Sequence, residues 1–302
     1  IYVELLYEKF EHRYHPKVSN DLINWKKIDM DNIKIEDNGK KVILTFKANS
    51  DYTYISAQEI LSSAWYETWY KIIRDIKNVT ISELGSTSVG RSINKILIGN
   101  DLENPYILLI GRQHPPEITG AFALKAFIEQ ILDDNALSND FLSNYNIISY
   151  PLVNPDGVDL GHWRHNLRKK DLNRDWGFFS QIETSIIYDD IRKILNDNKI
   201  VLMIDFHSTF KNIFYIQDES ETAGYNFAQA WLLKNLSDKS NYKFAIKPTK
   251  NANNGVAKNY FNSLYGIPAI TFEVGDNTDR ETIINSSKNL ADSMMLLLLE
   301  NK

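Results

Sequence analysis

His114 and Glu117 bracket two prolines in the run His114-Pro115-Pro116-Glu117, and both side chains are common ligands of a divalent metal. Three residues apart, where an apolar run passes into a helical pattern, the two share a face. A catalytic zinc site commonly takes two His and one Glu and keeps a position for water. His207, after the apolar run at 200–206, offers the third donor, and Glu273 closes a further run with one more carboxylate. The His-x-x-Glu spacing alone is weak, because a capping glutamate beside a hydrogen-bonded loop histidine produces it too. His12/His15 and His162/His165 repeat that spacing with no strand before them, and are expected to be surface or packing histidines.

These groups can meet only if their elements share one edge. Short apolar runs at 106–111, 147–153, 200–206 and 269–275 alternate with helical patterns at 118–133, about 181–197, 224–238 and a last helix ending at 299. That alternation predicts an α/β sheet with helices on both faces. Ligands of open α/β sheets bind outside the carboxyl ends of the strands. His114 with Glu117, the 154–157 turn, His207 and Glu273 each follow such a run, so four segments point to one edge. The N-terminal residues are aromatic and charged, with a strand pattern at 41–48, and predict a small β-rich segment over 1–52 ahead of a larger domain at 53–302. A helix-length stretch follows from Tyr54, then a hairpin signal at 84–99 with Gly85 and Gly90 around its turn.

The net charge of −5 and pI near 5.7 give no electrostatic footprint for nucleic acid or anionic lipid. Without cysteine, disulfides and thiolate catalysis are excluded, and a metal must be held by His, Asp and Glu. The longest apolar run, 294–299, is far shorter than the roughly 18 residues of a membrane span. A start at Ile1 rather than Met leaves the compartment open, with a processed leader and an extracytoplasmic location slightly favoured.

The segment 161–176 adds Arg164, Asp171, Asn173 and Arg174. A guanidinium beside an amide suits a terminal carboxylate, which accepts paired bonds from Arg. Arg168, Lys169 and Lys170 are expected on a solvated face. Together, HPPE at 114–117, VNPDG at 153–157, WRHN at 163–166, DLNRDW at 171–176, DFHS at 205–208 and TFEVG at 271–275 resemble the zinc carboxypeptidases of the M14 type. The RQHPPE form and the short β-rich segment lean toward the bacterial, cytosolic-carboxypeptidase-like branch. The resemblance runs from about 85 to 275 in matching order. It implies a mixed, mainly parallel twisted sheet and a metallocarboxypeptidase acting on the C-terminal bond of a peptide or protein. It further implies one Zn2+ per chain on His114, Glu117 and His207, with Asp171 orienting His114. Asn173 and Arg174 would hold the substrate carboxylate. Arg164 would stabilise the oxyanion, and Glu273 would act as general base on the metal-activated water.

The chain also departs from the digestive members. Pro116 fills the slot of their arginine inside His-x-x-Glu, so contacts beyond the cleaved residue are expected to differ. No tyrosine in 250–261 lies at the family's separation from the catalytic glutamate; Tyr260 and Tyr265 are the nearest replacements. Val256 and Lys258 fall near the specificity pocket, where Lys258 is expected to be a solvated surface lysine unless it reads an acidic C-terminal residue. Two other readings stay open: a zinc-dependent deacylase of N-acyl amino acids, which shares the His-x-x-Glu and Asp-Leu-Asn-Arg elements, and a non-catalytic peptide-binding module. The latter predicts a missing ligand or base, and none is missing.

Overall fold

The computed structural model describes residues 1–48, 50–197, 199–236 and 242–302, and its internal contacts divide the chain into Ile1–Leu61 and Ser62–Lys302. The first unit carries β1 (Tyr2–Leu6), β2 (Lys17–Ser19), β3 (Lys26–Lys27), β4 (Ile33–Glu36), β5 (Lys41–Thr45) and β6 (Tyr54–Ser56). They form two three-stranded antiparallel sheets, ordered β1-β5-β4 and β3-β2-β6. Val42 and Leu44, two apart on β5, point to one face and close over Ile28 as a small core. The helix expected from Tyr54 does not begin there. Tyr54–Ser56 pairs antiparallel with Lys17–Ser19, which holds it extended, and the strand therefore lies within the first unit.

The second unit opens with α1 (Ser63–Ile73), β7 (Val79–Ser86), β8 (Ser92–Ile98), β9 (Tyr106–Gly111) and α2 (Ile118–Ile131). It continues with α3 (Ala136–Leu142), β10 (Asn146–Tyr150), α4 (Pro155–Asp159), α5 (Ile182–Asp197), β11 (Ile200–Thr209) and β12 (Ile213–Gln217). The chain ends through α6 (Thr222–Leu236), β13 (Ala245–Thr249), α7 (Ala257–Tyr265), β14 (Ala269–Gly275) and α8 (Arg280–Glu300). Its eight strands form one sheet ordered β13-β12-β14-β11-β9-β10-β8-β7. The four strands from β14 to β10 run parallel, as does the β12–β13 pair; the remaining neighbours are antiparallel. The expected helices at 118–133 and 224–238 end in the structure at Ile131 and Leu236; residues 237 and 238 lie outside the described ones.

The central strands are buried on both sides, hence their continuous apolar runs. Leu108, Ile110, Ile148, Tyr150 and Met203 share a core with Ile187 and Ile191 of α5 and Phe261 of α7. Phe206, of opposite parity on β11, packs instead on Phe127 of α2, which also meets Trp231 of α6. Helices thus cover both faces of a mixed sheet. The carboxyl ends of β9, β10, β11 and β14 stand side by side.

Candidate active site

Between β9 and α2 the chain needs only six residues, and His114 and Glu117 lie within them. Glu117 takes the N-cap position of α2, so its side chain leaves the helix start toward the neighbouring strand. That start is pressed against β11: a Cβ on Gly120 would lie 2.6 Å from the His207 carbonyl oxygen, which only glycine permits. Thr119 Oγ1 and the Gly120 amide both bond to Ser208 Oγ, at 2.7 and 2.9 Å. This close seam brings Glu117 to His207.

Glu117 Oε1 lies 2.8 Å from His114 Nδ1, and Glu117 Oε2 lies 2.7 Å from His207 Nδ1. One ligand atom from each of the three side chains falls within 4.8 Å of the others, the one such group among the described residues. The far nitrogen of each ring is engaged by a carboxylate. His114 Nε2 meets Asp171 Oδ1 at 2.9 Å, and His207 Nε2 meets Asp205 Oδ2 at 2.7 Å. A carboxylate on the outer nitrogen holds the proton there, so that Nδ1 can serve as ligand once its own proton is displaced, the arrangement common to metal-binding histidines.

Electrostatics agree. Burial opposes charge on both imidazoles, but Asp205 and Glu117 hold the His207 pKa well above the ordinary value, and Glu117 with Asp171 raises that of His114. Burial pushes the Glu117 carboxyl up; the two histidines overcome it and hold the group well below the usual carboxylate range. Asp171 is likewise held low against its burial by His114 and Arg164. Four carboxylates, Glu117, Asp171, Asp205 and Glu273, gather around two imidazoles and the Arg164 guanidinium. Such a site favours a cation, and the donor set of two imidazoles and one carboxylate suits zinc.

Glu273 lies directly across from His207 in the parallel β11–β14 register. Its Oε2 is buried without a hydrogen-bond partner. Burial pushes its pKa up to about 7, with Glu117 and Asp205 adding to the rise and the two histidines opposing it. Arg164 donates through Nε to Asp171 Oδ2 at 2.7 Å. The short 3-10 helix Leu172–Arg174 presents the Asn-Arg pair. Asn173 Nδ2 lies 3.2 Å from His207 Nε2, its Oδ1 accepts from the Ala257 amide, and Arg174 Nη1 donates to the Asn173 carbonyl.

All the residues singled out in the sequence for ligand, base and carboxylate roles therefore stand around one triad or one residue from it. His12, near Tyr7, and His15, on the Ile28 carbonyl, belong to the first unit. His162 bonds to the His165 carbonyl. Lys258 corrects an expectation: it is 3% exposed rather than solvated, because α7 docks through Ala257 on Asn173 and turns the following side chain inward. Its Nζ donates to the Ile216 carbonyl at 3.4 Å. Asp205 and Gln113 stand inside the DFHS and RQHPPE motifs, but the sequence assigns neither a role. Gln113 donates to Asp205 Oδ2 and accepts from the Trp176 indole, both at 2.8 Å. Asp205 had a signal, since residues two apart on a strand share a face; Gln113 had none.

Residues 65–291 match the family model for zinc carboxypeptidases, Peptidase_M14. The chain belongs to that family, whose metal is zinc. A bovine cytosolic carboxypeptidase 3 is 28% identical over 219 residues, covering 66% of this chain and 21% of the relative, so the chain spans about a fifth of that protein's length. A metallo-carboxypeptidase from Burkholderia cenocepacia superposes with a TM-score of 0.83 at 16% identity, covering 96% of this chain and 81% of that one. A metallo-carboxypeptidase from Pseudomonas aeruginosa, solved with (2-guanidinoethylmercapto)succinic acid, gives 0.78 at 17% identity with the same two coverages. At such identities the likeness concerns the fold.

Proposed function

We propose that this chain is a zinc-dependent metallocarboxypeptidase that hydrolyses the C-terminal bond of a peptide or protein. The observation that carries the reading is Glu273, buried opposite His207 with one oxygen unpartnered, beside a His114, Glu117 and His207 triad whose outer nitrogens are already engaged. Zinc on those three side chains would supply Lewis acidity toward the scissile carbonyl and acidify water. Glu273 then takes one proton from the attacking water as its oxygen bonds to the carbonyl carbon. It returns that proton to the amine nitrogen as the C–N bond breaks. Its pKa near 7 suits a group that both accepts and releases a proton at neutral pH. Arg164, steadied through Nε by Asp171, stabilises the charge developing on the carbonyl oxygen. Arg174 and Asn173 hold the substrate's terminal carboxylate.

For the side chain being released, we read Lys258 as the selecting group, with acidic C-terminal residues preferred. A buried ammonium whose hydrogen bond is a long one, 3.4 Å to the Ile216 carbonyl, supports this. The word cytosolic in the relatives' names favours the cytoplasm over the export that Ile1 suggested. No helix among the described residues is long and apolar enough to cross a membrane.

The test pairs metal analysis with a panel of free and C-terminally amidated peptides. About one zinc per chain and cleavage of free-carboxylate peptides alone are expected. Glu273→Gln should retain zinc and lose roughly 10²–10⁴-fold in kcat. Equal cleavage of amidated peptides, or an active Glu273→Gln, would overturn the reading.

A further inference from the structure

The six-residue link from β9 to α2 has few means of holding its shape. Pro115 and Pro116 lack amide hydrogens, and the local backbone bonds are Glu117 N to His114 O at 3.3 Å and Ile118 N to Pro116 O at 2.9 Å. The Pro115 carbonyl is held from elsewhere: Arg112 donates to it through Nε at 3.0 Å and through Nη2 at 2.8 Å. We propose that Arg112 is a positioning residue that fixes the link at the spacing His114 and Glu117 need to share a metal. The inference rests on the metal reading of that triad.

Three features single this side chain out. Arg112 is 4% exposed, and a buried guanidinium is tolerated only where its donors are used. Its third arm, Nη1, reaches the Tyr66 hydroxyl of α1 at 3.2 Å, which anchors the fork to a helix outside the link. Its backbone sits at φ +55°, in the left-handed region where a non-glycine residue costs about 1 kcal/mol or more. A strained backbone that curls its own side chain back onto the carbonyl three residues later is a clamp on the turn between the two ligands. Asn154 closes the link from the other side. Its amide bonds to the Arg112 carbonyl at 3.2 Å, and its Nδ2 bonds to the Gln113 carbonyl at 3.1 Å. The fork geometry matters, since lysine brings charge but cannot set two parallel bonds on one oxygen.

The experiment is zinc competition against a chromophoric chelator, with the full chain as wild type, Arg112→Met and Arg112→Lys. Thermal melting of each is recorded with and without zinc. Arg112→Met should bind zinc roughly 10–100-fold more weakly, the usual effect of losing a group that supports a ligand, with Arg112→Lys in between. The increase in Tm on adding zinc should shrink in the same order. A purely structural role would lower both melting temperatures together and leave the zinc affinity in place. Variants that bind zinc within about twofold of wild type would overturn the inference, since a supporting group normally moves affinity further. If Arg112→Met does not fold, Arg112→Lys decides. Failure of wild type itself to bind zinc would instead overturn the triad reading and take this inference with it.

Discussion

Replacing Lys258 by Met separates a selecting lysine from a packing one, because the two roles predict opposite signs. Burial lowers the Lys258 pKa to about 8 from an ordinary 10.5, with Asp218 and Glu221 only partly offsetting it. At about 1.4 kcal/mol per pKa unit, the fold disfavours the ammonium by about 3 kcal/mol at neutral pH. The sign follows from linkage: between about pH 8 and 10.5 the unfolded chain binds the proton that the folded chain has released, so stability rises with pH there. The cost is fully present below about pH 8. Lys258→Met should therefore raise the Tm at pH 7 by several degrees, with the gain fading between about pH 8 and 10.5. Selectivity should move the other way. Hydrogen bonds to a charged group contribute about 1.5–3 kcal/mol, or roughly 10–150-fold in kcat/KM for peptides ending in Glu over the isosteric Gln. Because kcat/KM reports the free enzyme, that ratio should fall as pH rises through about 8. Peptide release by chromatography from pH 6.5 to 9.5, beside calorimetry of both proteins, reads both quantities. A Glu/Gln ratio unchanged in the variant, or flat across that range, refutes the selecting role.

Three further outcomes follow from the same geometry. Protons hold the raised His114 and His207 sites, so zinc binding near pH 7 should release protons, measurable in weak buffer, and zinc affinity should fall as pH drops; binding without proton release would contradict the assignment. The acid limb of kcat/KM should lie at or below about pH 7, because Glu273 must be ionised and a cation beside it can only lower its pKa; a limb well above 7 would point to another base. Gly255→Ala places a Cβ 2.4 Å from the Arg174 carbonyl carbon at φ +75°, so it should destabilise the chain by about 1–3 kcal/mol and, if Asn173 and Arg174 hold the substrate carboxylate as proposed, raise KM more than it lowers kcat.

Legibility in the sequence followed the physics of each element. The runs 106–111 and 269–275 coincide with β9 and β14, since strands buried on both faces must be apolar throughout. Ligand-type residues at their ends were visible for the same reason, polarity returning where the sheet stops. The strand at Tyr54–Ser56 was read as helix because three residues carry no period, and only pairing with Lys17–Ser19 decides them. Strands β12 and β13 were missed for a related reason: KNIFYIQD and KFAIKPTK are short and partly exposed, and their place beside β14 is a tertiary fact. Lys258 looked like a surface residue because lysine usually is one; the Asn173 to Ala257 bond that turns it inward spans 84 positions.

Stability does not account for the way charge is gathered at the strand ends. Asp205 is fully buried on β11 with Oδ1 unpartnered, and Glu273 carries a second unpartnered oxygen on the neighbouring strand. Groups buried in this way normally lower stability relative to apolar replacements. A chain assembled for stability alone would place apolar side chains there, as it does one residue away at Ile204, Phe206, Phe272 and Val274. The polar positions recur with period two on adjoining strands, Asp205 and His207 on β11 opposite Thr271 and Glu273 on β14, so they present one continuous face at one edge. The Trp176 indole, Gln113, Asp205 and His207 extend that face as a hydrogen-bonded chain into the apolar core, where Trp176 packs on Phe261. The core is thus the part of the fold that sets the ring angle of His207. Three hydrogen bonds join the Trp176 indole to the outer nitrogen of His207.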